Sequence, residues 1–170
     1  MIWIFRIIRA LRMDKLLQIR RSTYPFVEYF RGLEDAPAIR HIFGEKTEEV
    51  LGNLRVGFTS LGGYMRVNGY NGNLMVNSRY LNNGNKIDIY LDILHELVHV
   101  RQFMEGKELF DSDYSYVERP TEIEAYRFAV EEARRLGLDD HRICEYLKTE
   151  WMTEKDLNQL AKTLGVKCTH

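Results

Sequence analysis

The chain has 170 residues, 45% of them hydrophobic, which suits one domain with a proper core. Acids and bases nearly cancel, with a net charge of -1 and a pI near 6.5, so the general electrostatic footprint of a nucleic-acid binder is absent. Two cysteines, Cys144 and Cys168, are too few for a disulfide framework, and no apolar run approaches the roughly 20 residues that span a bilayer, so an intracellular, cytoplasmic protein is expected.

Residues 1-21 stand apart from the rest. Arg6, Arg9, Arg12, Lys15, Arg20 and Arg21 face a single acid, Asp14, while Ile4, Ile7, Ile8 and Leu11 form one helical stripe. The expectation is a basic amphipathic leader helix docked on a main domain that spans 22-170. The same character also allows weak contact with an anionic membrane surface. It does not suit a signal peptide, because the apolar stretch precedes the charges.

Residues 24-52 read as short helices punctuated by Pro25, Gly32, Pro37 and Gly44, with Phe26, Phe30, Ile39 and Phe43 as core candidates. From 53 to 81 the period changes to two. Leu54, Val56 and Phe58 alternate, then Tyr64, Arg66 and Asn68, then Leu74, Val76 and Ser78. This predicts a small three-stranded sheet. Its last two strands form a hairpin around Asn68-Gly69-Tyr70-Asn71-Gly72-Asn73, a turn with a structural role.

The Asn-rich segment ending at Asn85 predicts a helix start, and Gly106 a helix stop. Between them lies His95-Glu96-Leu97-Val98-His99, embedded among Leu91, Leu94, Val100 and Phe103. Residues four apart on a helix share a face, so His95 and His99 can aim ring nitrogens at one ion. Glu96 sits about 100° round the helix from His95, where it can reach a water on that ion. Two such histidines bind zinc, and the intervening glutamate serves as general base.

Zinc needs a third protein ligand. Gln102 and Glu105, three and six residues beyond His99, do not supply it from the same helix. The loop 107-119 reads as a rim over a cleft. After it, Pro120 suits the first turn of a second helix. Ala125, Phe128, Ala129 and Ala133 give that helix a small-residue face, and Glu122 falls on it. Glu124 points about 200° away from Glu122. Glu118 and Glu124 remain rivals for the ligand position. Beyond Gly137, from about 138, a helical extension is predicted: one helix from Asp139 or Asp140 through Trp151, and another N-capped by Thr153. The second resembles half of a helix-turn-helix, but no recognition helix follows it, so no nucleic-acid partner is expected.

Taken together, His95-Glu96-x-x-His99 followed by Glu122-x-x-Ala125 resembles the gluzincin zinc metallopeptidases. The continuation Ala125-x-x-Phe128-Ala129 is similar to the ImmA/IrrE-like peptidases and to minigluzincins. The resemblance covers about residues 54-135. It implies an α+β, zincin-like fold, with the small sheet packed on the His-Glu-x-x-His helix and on the second, glutamate-bearing helix. It implies Zn2+ held by His95, His99 and Glu122, with water in the fourth position. It further implies Glu96 as catalytic base and hydrolysis, as an endopeptidase, of a protein or peptide substrate. The strand before the motif helix is then the sheet edge bordering the cleft, open to strand addition by a peptide.

One departure stands out. The family has Asp or Asn where this chain has Tyr126, an acceptor that orients a zinc-bound histidine. Either Glu118, Glu124 or a backbone carbonyl takes over, or the site binds zinc less tightly. Tyr114, Tyr116, Tyr126 and His141 are candidates for an oxyanion donor. The leader, or Cys168 and His170 of the tail, could block the cleft and hold the protein latent. Two other readings remain: a non-catalytic zinc-stabilised domain, and a membrane- or partner-binding module on the same scaffold.

Overall fold

A computed structural model describes residues 23-60 and 62-168. The expected leader helix at 1-21 and His170 lie outside the described residues. The architecture is α+β. Strand β1 (Tyr24–Pro25) leads into three short helices, α1 (Phe26–Tyr29), α2 (Pro37–Phe43) and α3 (Thr47–Asn53). Pro37 starts α2 at its first turn, and Gly44 ends it at a φ of 59°. Phe26, Phe30, Leu33, Ile39 and Leu51 are fully buried, while Phe43 is only partly so.

Strands β2 (Arg55–Thr59), β3 (Met65–Val67) and β4 (Leu74–Asn77) follow. The sheet has four strands in the order β1-β2-β4-β3. The three-strand expectation missed β1, which is only two residues long and carries no alternation; it pairs antiparallel with β2 at Tyr24 and Val56. The hairpin is where it was expected, with Met65 opposite Val76. Asx turns shape it: the Asn68 side chain accepts from Tyr70 N, and that of Asn71 from Asn73 N. Gly72 has a φ of 69°, and a Cβ there would lie 2.7 Å from the Phe103 ring, so the turn seats directly on the motif helix.

One placement differs from expectation. β4 pairs parallel with β2 and antiparallel with β3, so it is interior. The cleft-side edge is β3. A parallel β2–β4 pair leaves the hairpin partner outermost. β4 also does not run straight into the long helix, because α4 (Ser78–Asn83), capped by the Asn77 side chain, intervenes.

Helix α5 (Lys86–Met104) begins at Asn85, whose side chain accepts from Ile87 N, and stops at Gly106 with φ 73°. Ile89, Leu91, Ile93, Leu94, Leu97 and Val98 bury nearly all of its circumference, the pattern of a central helix. Helix α6 (Pro120–Arg135) packs along it. Ala125, Ala129 and Ala133 are completely buried, and their small side chains let the two backbones approach closely. Polar ties flank this stripe. Arg101 donates to Glu124 at 2.6 Å, and buried Glu132 accepts from the Tyr90 hydroxyl at 2.7 Å and from Arg135.

The extension comprises α7 (Asp140–Leu147) and α8 (Glu154–Leu164). α7 ends one turn earlier than expected. Residues 148-153 are an irregular link carrying Thr149 and Trp151. Thr153 caps α8 through a capping box with Asp156. The two cysteines, too few for a framework, still close one bond: Cys144 on α7 is disulfide-linked to Cys168. The tail is further fixed by Arg134 to Gly165 O at 2.6 Å and Lys167 N to Asp140 at 3.0 Å. No described helix is long and apolar enough to cross a membrane.

The closed loop restricts the unfolded chain. Reduction, or Cys144→Ser, is therefore expected to lower unfolding free energy by about 2-4 kcal/mol. Urea denaturation with and without dithiothreitol measures this. Coincident curves would show that the tail is held without the bond.

Candidate metal centre

Four polar residues are buried in the middle of the apolar helix pair: His95, Glu96 and His99 from α5 and Glu122 from α6, each between 5 and 7% exposed. A polar group so far from water needs partners. Three of the four find each other. His95 Nε2 and His99 Nε2 are 3.0 Å apart, and Glu122 Oε2 lies 3.2 Å from the first and 3.4 Å from the second. Ligand atoms each about 2.0-2.1 Å from one tetrahedral zinc stand roughly 3.3 Å apart. The triad therefore has the spacing of a shared ion, and its two nitrogens and one oxygen form a donor set that could hold a metal ion.

Both rivals for the third position are engaged elsewhere. Glu118 is exposed and bonds Ser115 and Gln159. Glu124 points away from the triad, to Arg101, Lys107 and Gln102.

Glu124 does contribute indirectly. His99 Nδ1 lies 2.7 Å from Gln102 Oε1, and the Gln102 amide donates to Thr121 O at 3.0 Å and to Glu124 at 2.8 Å. With its amine thus assigned, Gln102 presents its oxygen to His99. This fixes the tautomer that leaves Nε2 free for an ion. Gln102 is the residue that sequence reasoning misses: it is no ligand, but its i,i+3 offset from His99 puts it within reach of that ring.

Tyr126 accepts from neither histidine. Its ring meets the His95 ring edge-on at 4.3 Å, and its hydroxyl lies 2.9 Å from the Tyr116 hydroxyl. His95 Nδ1 has no hydrogen-bond partner among the described residues.

Glu96 is the fourth member. The Val67 N–H of β3 donates to its carboxylate, while Oε2 has no partner. Burial pushes its carboxyl up to about 8 against the pull of His99. Burial also lowers His95. For His99, burial works downward, but bonding to Glu122 and the nearby Glu96 charge win and raise it to about 9. Glu122 is held well below the usual carboxylate range: burial opposes this, and the two histidines outweigh it.

The cluster lies at the floor of a cavity of about 440 Å³. Tyr64, Met65, Val67, Phe110, Tyr116 and Trp151 are among its walls. Arg119 also lines it, held by a bond to Asp111 O, with Nη1 3.8 Å from Glu122. Of the four oxyanion candidates, Tyr116 borders this cavity, and Tyr126 stands behind it, on a smaller cavity adjoining His95 and Glu96. Tyr114 and His141 are exposed and line neither. Cys168 is bonded to Cys144, so its sulfur is not available to an ion. No family model, curated protein or solved structure matches this chain.

The purified protein is expected to carry about one bound divalent metal ion, and His95→Ala, His99→Ala or Glu122→Ala to lose it. Gln102→Leu should weaken affinity about 10- to 100-fold with the fold intact. Elemental analysis and competition with a chromophoric chelator give both values. Equal affinity in Gln102→Leu would show that its contact to His99 is incidental.

Proposed function

We propose that the protein is a zinc metallopeptidase of gluzincin type, with a zincin-like fold, that hydrolyses peptide bonds in a protein or peptide substrate. The observation that carries this is the position of Glu96. It lies beside a three-ligand cluster, on the wall of a cavity, with one carboxylate oxygen uncommitted. A site built only to staple two helices has no use for a buried, unsatisfied carboxylate there.

His95, His99 and Glu122 would hold the ion. Bound Zn2+ supplies Lewis acidity toward the scissile carbonyl and lowers the pKa of water to about 7. The chain's own groups do the rest. Glu96 accepts a proton from the attacking water and passes it to the leaving amine nitrogen. Gln102 keeps the His99 ring in place. The Tyr116 hydroxyl, which lies 2.9 Å from that of Tyr126 and borders the cavity, would donate to the oxygen that gains charge as the carbonyl is attacked. The edge strand β3 lines the cavity with Met65, Arg66 and Val67, and Tyr64 just before it does the same, which suits an extended peptide adding as a strand.

Glu96→Gln should retain metal and fold and lose about 10²- to 10⁴-fold in turnover. A peptide-library cleavage assay at matched metal content checks this, and undiminished cleavage would remove Glu96 from the role. Tyr116→Phe should lower kcat by about 10²-10³ with KM little changed. An unchanged kcat would transfer the oxyanion contact to Arg119.

A further inference from the structure

Behind the catalytic cleft lies a second cavity of about 130 Å³, many times the roughly 10-15 Å³ that one water needs. The two cavities share Tyr64, Met65, His95, Glu96, Tyr116 and Trp151 as walls, so the second opens beside the reacting centre. Its floor is a row on α5. Asp88, Asp92 and Glu96 are spaced four apart, one above the other, and all three line it. Asp88 is taken up by Arg142. Asp92 is not in any ion pair among the described residues. It accepts from the Tyr80 hydroxyl at 2.5 Å, with the buried Tyr146 hydroxyl nearby, and the other charge acting on it is a second acid, Asp88. Glu145 adds a further acid, and Lys148 is the one lysine or arginine among the lining residues.

Independent of the acids, three buried polar atoms on this cavity lack partners: Thr149 Oγ1, the Tyr146 hydroxyl and His95 Nδ1. Thr149 is 8% exposed. Aromatic faces surround the entrance. Tyr64 stacks on Tyr80 at 4.4 Å and lies 5.3 Å from Trp151. Such walls pack an aliphatic stem and attract a cation.

We propose that this second cavity is the specificity pocket for a lysine or arginine side chain at a residue flanking the scissile bond, with Asp92 as its counter-ion and the Thr149 hydroxyl as a further acceptor. The proposal rests on the peptidase reading and adds the substrate class. A free α-ammonium is the other cation a peptide offers. It would lie only about 2.5 Å from the scissile carbon. Asp92 is a full helical turn from Glu96, about 6 Å along the axis, which matches a group at the end of a side chain.

The test uses the zinc-loaded full chain and internally quenched peptides, N-acetylated, that differ only in the flanking residues. Lysine and arginine are compared with their uncharged isosteres norleucine and citrulline. Wild type should favour the charged members by roughly tenfold or more in kcat/KM, and Asp92→Asn should collapse that ratio. Because Asp92→Asn could disturb Tyr80 and Tyr146, the wild-type ratio stands as an independent criterion, and so does binding. The zinc-loaded Glu96→Gln protein, titrated with the same peptides and followed by calorimetry, should show the same preference.

Cleavage with a ratio near one overturns the pocket and leaves the peptidase reading intact. No cleavage, but charge-selective binding lost in Asp92→Asn, overturns the peptidase reading and keeps the pocket. Neither cleavage nor selective binding overturns both. A preference that appears only when the peptide has a free N-terminus assigns the cavity to an α-ammonium and overturns the side-chain proposal.

Discussion

The close approach of α5 and α6 is the constraint on which the rest depends. Three alanines on α6, each fully buried, let its backbone come near enough for Glu122 to stand 3.2-3.4 Å from the two histidine nitrogens. A larger side chain at Ala125 would push the helices apart by more than the tolerance of a coordination sphere. Arg101–Glu124 on one flank and Tyr90–Glu132–Arg135 on the other set the rotation of α6 about its axis. This turns Glu122 inward and Glu124 outward.

From that interface the site grows in layers. Gln102 reaches across the same helix pair, touching His99 on one side and Thr121 and Glu124 on the other. One amide therefore couples ligand orientation to helix packing. The sheet supplies the opposite wall through β3, whose Val67 N–H meets Glu96 and which is an edge strand. The hairpin turn seated on Phe103 holds that wall in place. Residues 148-153 close the far side with Thr149 and Trp151. The disulfide ties α7 to the tail at Cys168. α7, through Glu145 and Tyr146, and the link after it therefore help to build the second cavity.

The two histidines are supported differently. Tyr126 meets the His95 ring edge-on and bonds Tyr116, while the bond that orients a ring falls on His99, through Gln102. Tyr126 also walls the second cavity, and the acidic row of α5 continues below it.

Much of this was legible in the residues. The histidine pair, the glutamate between them, the helix starting at Asn85, Pro120 opening the second helix, the hairpin and the Thr153 cap all follow from local rules, because caps, turns and helical spacing are set within a few residues. The choice of Glu122 over Glu118 and Glu124 was only narrowed by sequence, since it depends on how α6 is rotated against α5. Four features belong to the tertiary structure alone: the place of β4 inside the sheet, the two-residue β1, the Cys144–Cys168 bond, and the cavity that gathers Asp92, Tyr80, Tyr146 and Thr149. Each joins residues distant along the chain, and the energy that selects such a contact comes from packing the whole core, which no local pattern encodes.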